Sequence, residues 1–242
     1  MPKKIVLTGG GTAGHVTPHL SLIPRLKEMG YDIHYIGTEN GIERQMMEKF
    51  PFITYHAVKS GKLRRYFDWK NFTDPFRVLA GAFQSAHLMG KIKPDVCFSK
   101  GGFVAVPVVF GAWLHRIPVV CHESDLTPGL ANKLCKPFAK RFATTFPECA
   151  AALGDKAEMT GTPLRPELFC GSRAKGLSLL NFDGTKPVLM MMGGSLGAQA
   201  VNAVLNVASA GVMAVLCAKM TENGRMGRMT MAMSLLFLPL FL

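Results

Sequence analysis

Along the first two thirds of the chain, short apolar runs alternate with segments whose apolar residues recur every three or four positions. KKIVLTG (3–9), YDIHYIG (31–37), PDVCFSKGG (94–102), IPVVCHES (117–124) and RFATTF (141–146) read as strands or strand-to-loop units. PHLSLIPRLKEMG (18–30) has helical spacing: Leu20, Ile23, Leu26 and Met29 share one face, and Gly30 suits the position just past a helix end. Strand followed by helix, repeated, predicts a parallel sheet with helices on both faces. Ligands of such sheets bind beyond the carboxyl ends of the strands. Those ends carry GGGTAGH, GTENG, SKGGF and HESD, all polar or glycine-rich.

The pattern restarts late. KPVLMMMGGSLGAQAVNAVLN (186–206) again reads strand, glycine turn, helix. Two such starts predict two Rossmann-like domains: residues 1–160, a connection over 161–185 that contains GTPLRPELF, and the beginning of a second domain over 186–206. About 55 residues follow Lys186, and a domain of this type needs on the order of 100. From Val207 the alternation stops. Residues 207–242 are methionine-rich and basic, then apolar, and resemble out-of-register translation.

Composition narrows the partners. The formal charge is +12 over 242 residues, which favours an anionic partner: nucleic acid, an acidic membrane surface or a phosphorylated substrate. The six cysteines form no CxxC pair and no zinc spacing, so most of them read as core residues of a reducing compartment. The stretch Ile5–Leu7 is far shorter than the apolar core of a secretion signal. SLLFLPLFL (234–242) is too short to span a bilayer.

Gly9, Gly11 and Gly14 satisfy GxGxxG between a strand and a helix. Three roles suit them: a phosphate cradle, a dinucleotide loop and a plain tight turn. The dinucleotide role needs an acid closing the second strand, and Glu39 is the nearest candidate. His15, at the helix start, has the pKa range of a general base toward a sugar hydroxyl, or it fixes the loop by hydrogen bonding. His19 lies four residues on, a metal-pair spacing without a third ligand. KGGFVAVP (100–107) is a second glycine turn, either a plain turn or a donor of backbone N–H groups to a diphosphate. HESD (122–125) places Glu123 and Asp125 at the sheet edge that carries His15, where such a carboxylate is structural or binds substrate, the second reading favoured by the shared edge. Residues 59–93 mix Lys and Arg with aromatics, and Trp113, His115 and Arg116 extend that chemistry. An interfacial membrane surface, a nucleic-acid surface and an ordinary amphipathic helix are the readings, the first matching best.

In order along the chain stand TGGGTAGHVTP, SKGGFVAVP, IPVVCHESDLTPGLANK, GTPLR and GGSLGAQAVN. From Lys3 to Asn206 this resembles the MurG family, the UDP-N-acetylglucosamine:undecaprenyl-pyrophosphoryl-muramoyl-pentapeptide N-acetylglucosaminyltransferases. HESD and GGFV are similar to the Gram-positive forms. The resemblance implies an α/β fold of GT-B type, with the N-terminal Rossmann-like domain complete and only the first strand-helix unit of the second. It implies inverting transfer of N-acetylglucosamine from UDP to the 4-hydroxyl of lipid-linked MurNAc-pentapeptide, with no cofactor, no metal and no nucleic acid. It places the protein peripherally on the cytoplasmic face of the plasma membrane, docked on anionic lipid.

Carried over residue by residue, the resemblance implies His15 as base. Thr12, Gly14, Gly101, Gly102, Phe103, Glu123 and Asp125 would bind the acceptor. Many members have asparagine at the position of Asp125. Arg165 and Ser195 would bind the donor. Nothing after Asn206 matches the family's remaining donor motifs. The alternative reading is a non-catalytic fragment that binds the lipid acceptor or the membrane.

Overall fold

A computed structural model describes residues 2–60, 70–185 and 188, with the backbone alone over 70–77. The chain forms two compact units, Met1–Leu180 and Asn181–Leu242. Of the second, only Asn181–Thr185 and Val188 are described, with Asp183 accepting hydrogen bonds from the Thr185 backbone and hydroxyl. The strand-helix unit expected over 186–206 lies outside the described residues except for Val188, and the 207–242 tail lies wholly outside them. Residues up to Leu180 cluster with the first unit.

The first unit is a seven-stranded parallel sheet. Its strands are β1 (Lys4–Thr8), β2 (Asp32–Gly37), β3 (Thr54–Ala57), β4 (Val96–Ser99), β5 (Val119–Glu123), β6 (Arg141–Thr144) and β7 (Ala157–Met159). The spatial order is β3-β2-β1-β4-β5-β6-β7. From β1 the chain moves outward to β2 and β3, then returns through a long helix to lay β4 on the other side of β1. The boundary between β1 and β4 is therefore the topological switch point, where a crevice opens beyond the strand ends.

Alternation along β1 divides the core. Val6 joins one cluster with Ile36, Met89 and Val108, whereas Ile5 and Leu7 join another with Val16, Ile23 and Met47. Each cluster packs helices on one face of the sheet. The helices are α1 (Thr17–Glu28), α2 (Ile42–Met47), α3 (Lys70–Ile92), α4 (Ala105–Leu114), α5 (Leu130–Cys135), α6 (Pro147–Leu153) and α7 (Arg173–Leu179).

The α1 stripe needs one correction. Ile23 is buried, and Leu20 and Leu26 pack beside it, but Met29 is 58 % exposed. Met29 is the residue at which the helix stops. Gly30 takes φ +77° and donates to Lys27 O, while Tyr31 N–H returns to Leu26 O. This double closure turns the chain and swings Met29 outward.

Cys97, Cys121, Cys135 and Cys149 are buried, Cys170 is exposed, and all five are free. Burial pushes the Cys97 thiol up, so it packs as a small apolar group. Cys217 lies outside the described residues.

Small residues let α3 and α4 approach closely. A side chain at Gly111 of α4 would meet the α3 backbone at Ala86 N, 2.8 Å away. A side chain at Gly90 would meet the His115 ring at 2.9 Å. Gly111→Val should push the two helices apart and cost about 1–3 kcal/mol, measured as a lower urea midpoint with an unchanged slope.

Candidate active site

Three loops meet at the switch point. The first follows β1, whose last residue, Thr8, donates its hydroxyl to Ile36 O at 2.9 Å. Gly9 has no room for a side chain: a Cβ would stand 2.7 Å from His15 O and 3.2 Å from Lys100 Cβ. Gly11 takes φ +86°, a conformation open chiefly to glycine. Gly14 is exposed, and a Cβ there would make only an ordinary contact with Thr12 Oγ1, 3.9 Å away.

The acid expected after β2 is not Glu39. That residue is exposed, and its carbonyl accepts from Arg44. Glu43, fully buried at the start of α2, takes the place beside the loop. It accepts from Thr38 N (2.9 Å), Thr38 Oγ1 (2.5 Å) and Gly11 N (3.3 Å). A Cβ at Gly10 would lie 2.5 Å from its carboxyl carbon. Glu43 thus binds the glycine loop itself, where a dinucleotide site would use the acid for a ribose.

Tyr35 fixes the loop from below. Its hydroxyl donates to Gly9 O at 2.6 Å and stands 3.2 Å from His19 Nδ1. The single phenolic proton goes to the carbonyl, so His19 donates to the Tyr35 oxygen. His19 Nε2 is then an acceptor with no partner among the described residues. The ring is buried against Tyr35 and Phe98. His15 and His19 therefore do not share an open face, and the spacing that suggested a metal pair is a core contact.

His15 follows in a 3-10 turn, Ala13–His15. Its Nδ1 is 3.1 Å from both Gly10 O and Thr12 Oγ1. A carbonyl only accepts, so Nδ1 carries the proton in this geometry and Nε2 keeps its lone pair. Burial, and then the field of Lys100, lower the pKa of the ring. Near neutral pH His15 is an uncharged imidazole whose Nε2 has no partner among the described residues, the form a general base requires.

The second loop follows β4. Lys100 N–H donates to Thr8 O at 2.9 Å, which ties it to the first loop. Gly101 and Gly102 take φ +88° and +84°. A Cβ on Gly102 would collide with Gly10 O, so the two glycine loops touch backbone to backbone. Phe103 is half-buried beside them.

The third loop is organised by Glu123. Its Oε1 accepts from Ser124 N (2.9 Å) and Asp125 N (3.2 Å). Its Oε2 accepts from Gly129 N (2.8 Å) and Asn132 Nδ2 (3.0 Å). Burial alone would raise its pKa, but these hydrogen bonds and the Lys100 charge hold it below the usual value. Glu123 is fully engaged in shaping the loop, and Asp125 stands exposed beside it. His122 bonds Gly161 O through Nε2 at 3.0 Å.

Of the residues expected at the site, Thr12, Gly14, His15, Gly101, Gly102, Phe103, Glu123 and Asp125 lie on these three loops. Arg165 is exposed at the start of a 3-10 turn, Pro166–Phe169, with no side-chain bond to the loops among the described residues. Ser195 lies outside the described residues. Sequence reasoning passed over Glu43, Tyr35, Lys100, Ser124 and Asn132. The only signal for Lys100 was a charged residue between an apolar run and a glycine pair.

The sequence profile of the glycosyltransferase family 28 N-terminal domain matches residues 5–144. The chain belongs to glycosyltransferase family 28. Among its relatives are two enzymes named UDP-N-acetylglucosamine--N-acetylmuramyl-(pentapeptide) pyrophosphoryl-undecaprenol N-acetylglucosamine transferase. That of Clostridium kluyveri is 59 % identical over 201 residues, covering 83 % of this chain and 57 % of the relative. That of Clostridium novyi is 60 % identical over 201 residues, covering 82 % and 56 %. The crystal structure of Acinetobacter baumannii MurG superposes with TM-score 0.62 at 26 % identity, over 86 % of this chain and 55 % of that one. A UDP-N-acetylglucosamine 2-epimerase shares the fold alone, with TM-score 0.52 at 15 % identity over 67 % of this chain and 49 % of that one. The chain spans a little over half the length of the curated relatives it matches. The unit described here is thus the N-terminal Rossmann-like domain of a family 28 protein of GT-B type.

The buried histidines make this family 28 domain acid-sensitive. Burial, with Lys100 next, lowers His19 from 6.5 to about 3. A depressed histidine contributes stability that is complete above 6.5 and is lost as pH falls toward the folded value. The unfolding free energy should decline as pH drops from 6.5 toward 3, and His19→Leu should flatten that decline in urea titrations. A second check is Glu123→Gln, which removes a charged acceptor from four donors and should cost about 1–3 kcal/mol at neutral pH.

Proposed function

We propose that the chain supplies the acceptor side of an inverting N-acetylglucosaminyltransferase. The donor is UDP-N-acetylglucosamine, and the acceptor is the 4-hydroxyl of undecaprenyl-pyrophosphoryl-MurNAc-pentapeptide. The observation that carries this reading is the geometry of His15: Nδ1 stands 3.1 Å from Gly10 O, which assigns it the proton and leaves Nε2 with a lone pair and no partner among the described residues. The named relatives agree with it.

In this reading Nε2 takes the proton of the acceptor hydroxyl as its oxygen forms a bond to the anomeric carbon. The bond from that carbon to the UDP oxygen breaks on the opposite face, and UDP leaves with the electron pair. Inversion follows from one displacement. The lowered pKa of His15 keeps the ring unprotonated and ready. The start of the Ala13–His15 turn leaves N–H groups without intrahelical partners, and these suit the acceptor diphosphate. Arg165 and Ser195 would serve the donor.

Membrane docking belongs to the same proposal. Leu79 and Phe83 lie one turn apart on α3, and Phe83 is 71 % exposed. Trp113 and Leu114 are about half exposed at the end of α4. Exposed apolar anchors on a chain of net charge +12 suit an anionic leaflet. No described helix is long and apolar enough to cross a membrane.

Two measurements test the reading. His15→Ala should lower GlcNAc transfer about 10²–10⁴-fold with little change in acceptor affinity, and unchanged turnover would remove His15 as base. The chain should sediment with phosphatidylglycerol vesicles, less so as salt rises. Equal binding to neutral vesicles would sink the docking claim.

A further inference from the structure

Lys100 is a buried cation of the site that the reaction above leaves without a task. It stands between β4 and the Gly101–Gly102 turn, and only 2 % of its surface is exposed. Its ammonium has three hydrogens to donate. The single acceptor it meets among the described residues is Ser124 Oγ, at 3.0 Å. It forms no ion pair among the described residues. Glu123 and Asp125 offset its charge from farther off, and burial still outweighs them and lowers its pKa.

An ammonium removed from water without a close counter-ion is costly. Simple packing does not explain it, because methionine would fill the same space without the charge. The surroundings point to an anion. The Lys100 side chain starts beside Gly9, its own N–H is on Thr8 O, and its tip reaches Ser124 of the third loop. It thus links the first glycine loop to the third, and the backbone geometry of the glycine loops suits phosphate oxygens.

We propose that Lys100 is the phosphate-holding cation of this site, its ammonium turning from Ser124 Oγ to an oxygen of a diphosphate seated between Gly9–Gly11 and Gly101–Phe103. This rests on the reading that a diphosphate-bearing substrate enters here. A consequence couples binding to chemistry. After burial, the field of Lys100 is the next cause that lowers the basicity of His15. A bound diphosphate cancels that field, so His15 becomes a stronger base when substrate is present.

The test uses the 242-residue chain and inorganic pyrophosphate as probe. Calorimetry should show binding that weakens about tenfold or more in Lys100→Met and persists in Ser124→Ala. The His15 Cε1–H titration midpoint should rise in Lys100→Met, a shift that loss of packing alone would not cause. In the wild-type chain, the Lys100 Cε–H resonance should move on saturation with pyrophosphate, which needs no variant to fold. An unmoved resonance, no pyrophosphate binding, or equal affinity in a folded Lys100→Met protein overturns the proposal.

UDP and the lipid-linked acceptor, titrated separately, distinguish the source of the phosphate. A Lys100→Met loss confined to the acceptor assigns it to the acceptor. A loss confined to UDP also supports a phosphate at Lys100 but assigns it to the donor. If pyrophosphate needs Lys100 but the acceptor does not bind, the Lys100 assignment stands and the acceptor reading falls. If the acceptor and UDP each bind both proteins equally, the Lys100 assignment falls and the acceptor reading stands.

Discussion

The constraint on which the site depends is the backbone contact between the two glycine loops, with Gly102 set against the carbonyl of Gly10. It exists because β1 and β4 are neighbours, although their last residues, Thr8 and Ser99, lie 91 positions apart in the chain. Two loops that start from paired strands and carry ordinary side chains would hold each other apart. Glycine at both removes that spacing, and Lys100 N–H on Thr8 O then extends the ladder one step beyond the sheet. His15, the Lys100 side chain and the Glu123 loop all take their positions from this junction.

Most of the sheet was legible in the sequence because its central strands are apolar runs. β1, β2, β4, β5 and β6 fall inside the segments read as strands. β3 and β7 are the two edges, and their residues are mostly exposed or half-buried, so no apolar run announced them. Met29 shows a related limit. Periodicity assigns a face to every residue in phase, yet a closing glycine takes the last one out of the helix.

The site was legible where its chemistry is local and obscure where it depends on distant pairing. His15 and the glycines stand in short motifs. Glu43 acts on Gly11 across 32 positions, and its role depends on β2 lying beside β1. The substitution of Glu43 for Glu39 follows from α2, whose first turn brings the carboxylate back over the strand end. Glu123 reads as a ligand-binding acid from its place at the sheet edge shared with His15, whereas its four internal donors, which frame the loop, come from positions no short motif announces.

The hold of Glu43 on the first loop has a consequence for how the site meets its ligands. Glycine-rich segments lose more freedom on ordering than any others. Here that loss is met during folding, by a buried carboxylate on Gly11 and a tyrosine on Gly9. The loop therefore keeps one shape whether the crevice is empty or filled. Association then proceeds by encounter with a standing surface rather than by moulding a slack one, and affinity reflects the contacts themselves.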